Sequence, residues 1–390
     1  MGPLEGIVVL DLSRYGTGRY CSMILADLGA EVISVEAPRH SLDLHGVMSD
    51  DLGFRHLGTS RNKKSIALDL KKDEGREIFC RLAGQADVII ETFRPGVVTR
   101  LGVDYETVSK LNRRIVYCSL TGYGQDGPYA QRPGHDITFA GLAGILGISG
   151  SNDGPPVHLP FQIGDMAGIS QAAIAILAAL HARDRIGTGQ YIDASMVDGL
   201  VFHLWHYAMM FFGTGKNPGR SDLPTGSDQA WMNIYLARDG KYLSVACMEP
   251  SLWANLCRAL DREDLIPRQF EPIDSQRKMY DELSRTFATK DRDEWMKLAD
   301  EADVPVGPVY TFDELFDDPH VQHRKAVVEV DHPRLGKIKL LNTPFKLSET
   351  PAEVRTAPPL WAEHSRRVLG DMLGYSDADL DRLMQEKVIE

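Results

Sequence analysis

The sequence predicts an α/β protein with a parallel sheet in a large first domain, followed by a smaller α+β domain. Two observations carry this reading. Strand-like and helix-like segments alternate through the first half of the chain, the pattern of a parallel sheet with helices on its faces. Between residues 200 and 228 the periodicity blurs, and 213–226 is rich in Gly, Pro, Ser and Asp, the composition of a connecting segment. With 390 residues, 43% hydrophobic and 25% charged, the chain is long enough for two full-sized cores.

Residues 6–12 read as a buried strand, 18–28 as a helix, 31–35 as a second strand, 75–83 as a helix and 86–91 as a strand. Residues 114–119 add another strand, 166–185 a long helix rich in Ala, Ile and Leu, and 189–194 the strand that closes the unit. The small domain opens on strand-like 234–237, a turn at Gly240 and a hairpin partner at 242–246, then helices at 251–259, 275–286 and 292–302. A proline-punctuated strand region at 327–346 and helices at 362–370 and 377–387 follow. The division expected is 1–199 for the first part of the large domain, 200–229 for a linker, 230–325 for the small domain, and 326–390 for a return linker and the rest of the large domain.

A net charge of -12 argues against general affinity for nucleic acid or an anionic membrane, so any anion site must be a local cluster. Cys21, Cys80, Cys118, Cys247 and Cys257 are scattered, odd in number and without C-x-x-C spacing. That disfavours a disulfide framework and a zinc site, and a reducing, cytoplasmic compartment is expected. The first nine residues lack a basic n-region, and no uninterrupted apolar run approaches the roughly 20 residues that span a bilayer. The most apolar stretch, 169–180, reads as a buried helix.

Gly16 and Gly18 follow the first strand, but the third glycine of a dinucleotide fingerprint is missing, which disfavours nicotinamide or flavin. Arg39, the run Arg61-Asn62-Lys63-Lys64, Arg94 and Arg100 are read as delivered to one end of the sheet, where open α/β sheets hold ligands. As a set they suit a polyphosphate; singly, each is as well read as a solvated loop charge.

His135, in Gly134-His135-Asp136, and Asp165, in Gly164-Asp165 at the start of the long helix, are the candidate acid/base groups. An aspartate at a helix start is most often a cap and a lone histidine most often structural, so spacing alone assigns neither a role. Glu91 and Asp136 have simple readings as strand-end or turn acids bonded to backbone. Met209-Met210-Phe211-Phe212 suits an acyl pocket, or equally a core or an interface.

Along nearly the whole chain, ordered motifs resemble the class III CoA transferases together with the α-methylacyl-CoA racemases. They include GPLEGIVVLDLSR, ADLGAEVISVE, RNKKSIALDLK, ADVIIETFRPG, LTGYGQDGPYAQRPGHD, GDMAG, GTGQYIDASMVDG and DHPRLGKIKLLNTPFKLSETP. The resemblance implies a Rossmann-like large domain and a small domain joined by long linkers, with two chains interlocked as a homodimer. It implies an acyl-CoA substrate, with Arg39, Lys63, Lys64 and Arg100 matching CoA contacts, and no cofactor beyond that CoA.

In the transferases the aspartate matching Asp165 is a covalent nucleophile. In the racemases it is a base facing the histidine matching His135, which a glutamate matching Glu249, in Met248-Glu249-Pro250, orients. With all three present, the resemblance is closest to the racemases, which need two acid/base groups on opposite faces of a carbon made acidic by the thioester. The helix start at Asp165 is expected to supply donors for the enolate oxygen. The consecutive-glycine lid of the transferases is missing, since only Gly213-Thr214-Gly215 and Thr225-Gly226 stand in that region. Leu10-Asp11-Leu12-Ser13-Arg14 and Val306-Gly307-Pro308 look more like transferases, and Arg19 replaces a proline common to both groups near the expected pantetheine path. A transferase moving CoA between carboxylic acids through covalent Asp165 is the alternative.

Overall fold

The computed structural model describes residues 1–14, 16–39, 53–151, 154–220 and 228–390. Thr225, Gly226 and the rest of 221–227 in the expected connecting segment lie outside the described residues. The chain forms two compact units. The first comprises Met1–Ala143, Phe161–His203 and Gln322–Glu390, and the second Gly144–Pro160 and Leu204–Val321.

The first unit runs β1 (Val8–Asp11), α1 (Gly16–Asp27), β2 (Glu31–Glu36), α2 (Phe54–Thr59), β3 (Lys63–Ala67), α3 (Asp73–Ala83) and β4 (Val88–Glu91). It continues with α4 (Val97–Leu101), α5 (Tyr105–Leu111), β5 (Val116–Thr121), α6 (Asp136–Leu142), α7 (Ile163–Ile186), β6 (Tyr191–Ser195) and α8 (Met196–His203). All six strands pair in parallel in the order β3-β2-β1-β4-β5-β6. The order reverses between β1 and β4, the switch point beside which open sheets of this kind open a crevice at their carboxyl ends.

The alternating pattern thus gives the parallel α/β architecture it predicts, because β4 (VIIE) and β5 (VYCSLT) are buried on both faces and read as apolar runs. Leu10, Ile33, Ile66, Ile89 and Tyr117 form the sheet side of the core, and Ile78, Phe79 and Leu82 of α3 pack on them. Burial of each such side chain stabilises the unit by roughly 1.5–3 kcal/mol.

One strand escapes the pattern. β3 opens on two lysines, so it does not read as apolar, yet the Lys63 side chain is wholly buried. The stretch read as blurred after residue 200 is also ordered, as α8 and then α9 (Trp205–Thr214) in the second unit, which ends at Gly215 in a left-handed conformation.

α7 corrects the expectation of a short apolar run. It has 24 residues and is long and apolar enough to cross a membrane, with half of its most apolar stretch buried. Its buried residues, Ala172, Ala173, Ile176 and Ala179 among them, belong to a helix that packs on α1, α8 and β5.

The second unit contains β7 (Met232–Leu236), β8 (Tyr242–Ala246), α10 (Pro250–Ala259), α11 (Ile273–Phe287), α12 (Arg292–Ala302), β9 (Val306–Val309) and α13 (Phe312–Asp317). Its antiparallel sheet has the order β7-β8-β9, over a core of Tyr235, Leu243, Trp253, Phe287 and Trp295. The edge strand β9 holds Pro308, where a missing N–H costs no ladder bond. After α14 (Pro319–His323) the first unit resumes with the hairpin β10 (Val327–His332) and β11 (Gly336–Leu341), then α15 (Ser365–Leu373) and α16 (Asp377–Gln385).

Candidate active site

Asp165 sits in the first turn of α7, beside the carboxyl ends of β5 and β6. A Cβ on Gly168, three residues on, would lie 2.8 Å from Met196 and 3.2 Å from Leu120, so the small residue lets α7 lie against those strand ends. His135 stands immediately before α6 with an exposed side chain. Its loop is held by packing: a Cβ on Gly134 or Gly122 would come within 2.4 Å of the Phe139 ring. The main-chain N–H of His135 also donates to Thr138 Oγ1 at 3.0 Å.

The link between the two helix starts is Asp136. Its Oδ1 accepts the N–H groups of Gly164 at 2.6 Å and Asp165 at 3.0 Å, so a side chain of α6 caps α7 from outside that helix. Asp165 is therefore not the cap. The other first-turn donors of α7 are also engaged, Ile163 N with Phe161 O and Met166 N with Gln162 O. This corrects the expectation that the α7 terminus supplies donors to an enolate oxygen: no first-turn N–H is spare.

Asp165 is half-buried and its carboxyl makes no hydrogen bond among the described residues. Burial first, and then the Asp136 charge, raise its pKa to about 6, while His135 pulls the other way. A carboxyl held near neutrality with an imidazole as its electrostatic partner can give or take a proton at physiological pH.

Glu249 belongs to the second unit, where it is exposed and precedes α10 without capping it by its side chain.

The basic candidates separate. Arg39 follows β2 and Arg100 closes α4 after β4, both on the carboxyl side of the sheet. Lys63 and Lys64 begin β3, in register with Val32 and Ile33, at the amino end. The expectation that all four share one end is corrected, because parallel pairing sets the first residues of β3 beside the first residues of β2, at the end of the sheet away from Arg39 and Arg100.

Lys63 is moreover committed to the core: its ammonium donates to Asp11 Oδ2 at 3.2 Å, Ser22 Oγ at 2.7 Å and Arg19 O at 2.7 Å. These three acceptors use all its donors. Lys64 pairs with Glu31 and lines a cavity of about 750 Å³ at the amino end of β1 and β2. The basic pair that does reach the carboxyl end of β3 is Lys71-Lys72, with Lys71 exposed; reading LDLKK as the strand exit would have found it.

Arg19 is engaged by protein groups around the exits of β1 and β2. Its guanidinium donates to Glu36 Oε1 at 2.9 Å and Ser13 O at 3.3 Å, and lies 3.3 Å from His56 Nδ1. Next to it Gly18 permits a close approach, since a Cβ there would lie 2.0 Å from Ser13 Oγ and 2.6 Å from Thr92 Cγ2. The loops leaving β1 and β4 therefore meet tightly at the switch point.

With this geometry in hand, comparison with known proteins is decisive at the level of family. The profile of CoA-transferase family III matches residues 4–365. The chain belongs to CoA-transferase family III. It is 32% identical to human succinyl-CoA:glutarate CoA-transferase over 396 residues, covering 100% of this chain and 90% of that protein. It is 33% identical to human alpha-methylacyl-CoA racemase over 399 residues, covering 99% and 97%. Among solved structures, a CAIB/BAIF family protein from Brucella suis superposes with a TM-score of 0.84 at 29% identity, covering 95% of this chain and 99% of that one. The family so defined holds both transferases and a racemase at like identity.

Proposed function

We propose that this family III protein inverts the carbon next to the thioester carbonyl of an acyl-CoA, with His135 and Asp165 as the two proton-transfer groups. The observation that carries the reading is the Asp165 carboxyl, held at a pKa of about 6 by burial and Asp136 and coupled to His135. One group in its basic form removes the α-proton while the other, in its acid form, delivers a proton to the opposite face; in the reverse direction the roles exchange. Arg39 and Arg100, on the carboxyl side of the sheet, are the proposed contacts to the CoA phosphates. Glu249 keeps the orienting role toward His135 that the resemblance implies.

A homodimer forms part of this reading. The exposed apolar side chains of Ile174 (66%) and Phe202 (74%) on the first unit are what such an interface would cover. Size-exclusion chromatography tests it, and a monomer at micromolar concentration would remove the dimer.

The second reading is CoA transfer between carboxylic acids through covalent Asp165, favoured by the names of relatives such as succinyl-CoA:glutarate CoA-transferase. One experiment separates the two: a single enantiomer of a 2-methylacyl-CoA followed by NMR in deuterated buffer without free carboxylate. Loss of the α-proton signal with formation of the other epimer supports inversion. No exchange, together with hydroxylamine-trappable label on Asp165 from an acyl-CoA, supports transfer instead.

A further inference from the structure

We propose that Glu390 acts as an internal stand-in for a substrate phosphate, holding the donors of Arg39 in the free protein and yielding them when the nucleotide end of a CoA thioester arrives. This rests on the reading of Arg39 as a phosphate contact given above. Arg39 emerges just beyond the carboxyl end of β2, and its main-chain N–H donates to Glu390 Oε2 at 2.7 Å. The second oxygen, Oε1, lies 3.7 Å from Arg39 Nε. One carboxylate thus accepts the Arg39 backbone N–H and stands within ion-pair distance of its guanidinium without hydrogen-bonding Nε; backbone amide and guanidinium are the donor types that recognise phosphate oxygens.

Glu390 is not a loose surface acid. The two residues before it, Val388 and Ile389, are each 3% exposed. Ile389 bridges antiparallel to Leu68, Asp69 N donates to Val388 O at 2.8 Å, and the Lys72 ammonium donates to Glu386 O. The tail is laid along the exit of β3, and this delivers the carboxylate to the neighbouring exit of β2. Arg39 is held from another side as well, its guanidinium lying 5.8 Å from the centre of the Trp361 ring.

The pair itself is displaceable: its side chains are 43% and 40% exposed, where ion pairs are weak and screened. A phosphate approaching the same donors meets a fixed like charge until the carboxylate swings out. Glu390 therefore lowers affinity for the nucleotide end, most strongly at low salt, and flattens its dependence on salt.

Calorimetric titration of free CoA into the protein tests this, using wild type, Glu390→Gln, Arg39→Ala and the double variant at low and high salt. Glutamine keeps a neutral acceptor for the Arg39 N–H and removes only the charge. Both side chains are half-exposed, so folding is retained. The expected result is a Kd about two- to fivefold lower in Glu390→Gln at low salt, a higher Kd in Arg39→Ala, and a smaller gain from Glu390→Gln in the Arg39→Ala background. An unchanged or higher Kd in Glu390→Gln, with Arg39→Ala still weakened, overturns the role of Glu390 and leaves the phosphate contact standing. CoA binding indifferent to Arg39→Ala removes the contact and the stand-in together. An equal gain in both backgrounds means that the carboxylate does not act through the Arg39 side chain, and overturns the proposal.

Discussion

Asp11 and Asp165 are both carboxylates near the carboxyl end of the sheet in the first unit, and their surroundings treat charge in opposite ways. Burial acts to raise the pKa of Asp11, but the Lys63 ammonium and the Ser13 and Ser22 bonds outweigh it and hold the carboxyl below its ordinary value. Ser22 Oγ donates to it at 2.5 Å. Beside it Arg19, Glu36 and Ser65 complete a buried polar layer, with Ser65 Oγ donating to Glu36 Oε2 at 2.6 Å. Asp165 is only half-buried, yet its burial and the like charge of its neighbour Asp136 outweigh the one opposing influence, that of His135. A charge whose partners are complete has nothing left to exchange, whereas one left short is ready to move a proton. In this unit the residue with the fewest partners is the candidate for chemistry, and the residue with the most is part of the frame.

The largest expected effect lies on the incomplete side. Asp165→Ala and His135→Ala should each lower α-proton exchange by about a thousandfold, within the range for loss of a positioned acid or base. The NMR assay measures it, with calorimetric CoA binding as a check that the fold and the nucleotide contacts survive. Exchange near the wild-type rate in either variant would remove that residue from the proposed pair.

On the complete side the damage should fall on stability. Lys63→Met leaves Asp11 buried without its cation and should cost about 4 kcal/mol in urea unfolding, while adding Asp11→Asn should recover part of it. A Lys63→Met protein of unchanged stability but weakened CoA binding would break the comparison and return Lys63 to the ligand.

Glu91 lies between the two cases. It is 1% exposed and has no cationic partner among the described residues; burial raises its carboxyl to about 7 against the hydrogen bonds from Ser119 and the Phe93 N–H. The folded state therefore binds this proton more tightly than the unfolded chain. Its contribution is fully present below the ordinary carboxyl pKa and is lost as pH rises toward 7. Over that window wild type should lose roughly 3 kcal/mol relative to Glu91→Gln. Parallel stability-pH curves for the two proteins would show that Glu91 is ionised in the fold throughout.

What the sequence discloses follows the same division. β1, β4 and β5 read directly because burial on both faces makes them apolar runs. β3 does not, because Lys63 is buried by virtue of Asp11, 52 positions earlier, a pairing that local pattern cannot contain. With no strand legible at 63–67, nothing local marks the basic run at 61–64 as the amino end of β3, so it reads as one set with Arg39 and Arg100. His135 and Asp165 stand out only through their motifs, since either type is ordinary at a helix start. Asp136 reads as an acid bonded to backbone, and is one, but its partners are not legible because the groups it caps are 28 and 29 residues away.

That long-range cap permits the finest test of the contrast. Asp136→Asn keeps an oxygen for the Gly164 and Asp165 N–H groups but removes the charge that helps to raise the Asp165 pKa. The Asp165 carboxyl should then ionise at lower pH, moving the acid limb of kcat/KM downward by about one pH unit or less. Unfolding free energy should change little, because the cap geometry survives. Asp136→Ala removes the acceptor as well, and should add a stability cost of about 1 kcal/mol for the uncapped α7. If Asp136 only capped the helix, Asp136→Asn would leave the acid limb in place and Asp136→Ala would lose stability alone. A displaced limb in Asp136→Asn at undiminished stability means that Asp136 sets the proton affinity of Asp165 through its charge, so that one aspartate holds the helix while it keeps the other from ionising too readily.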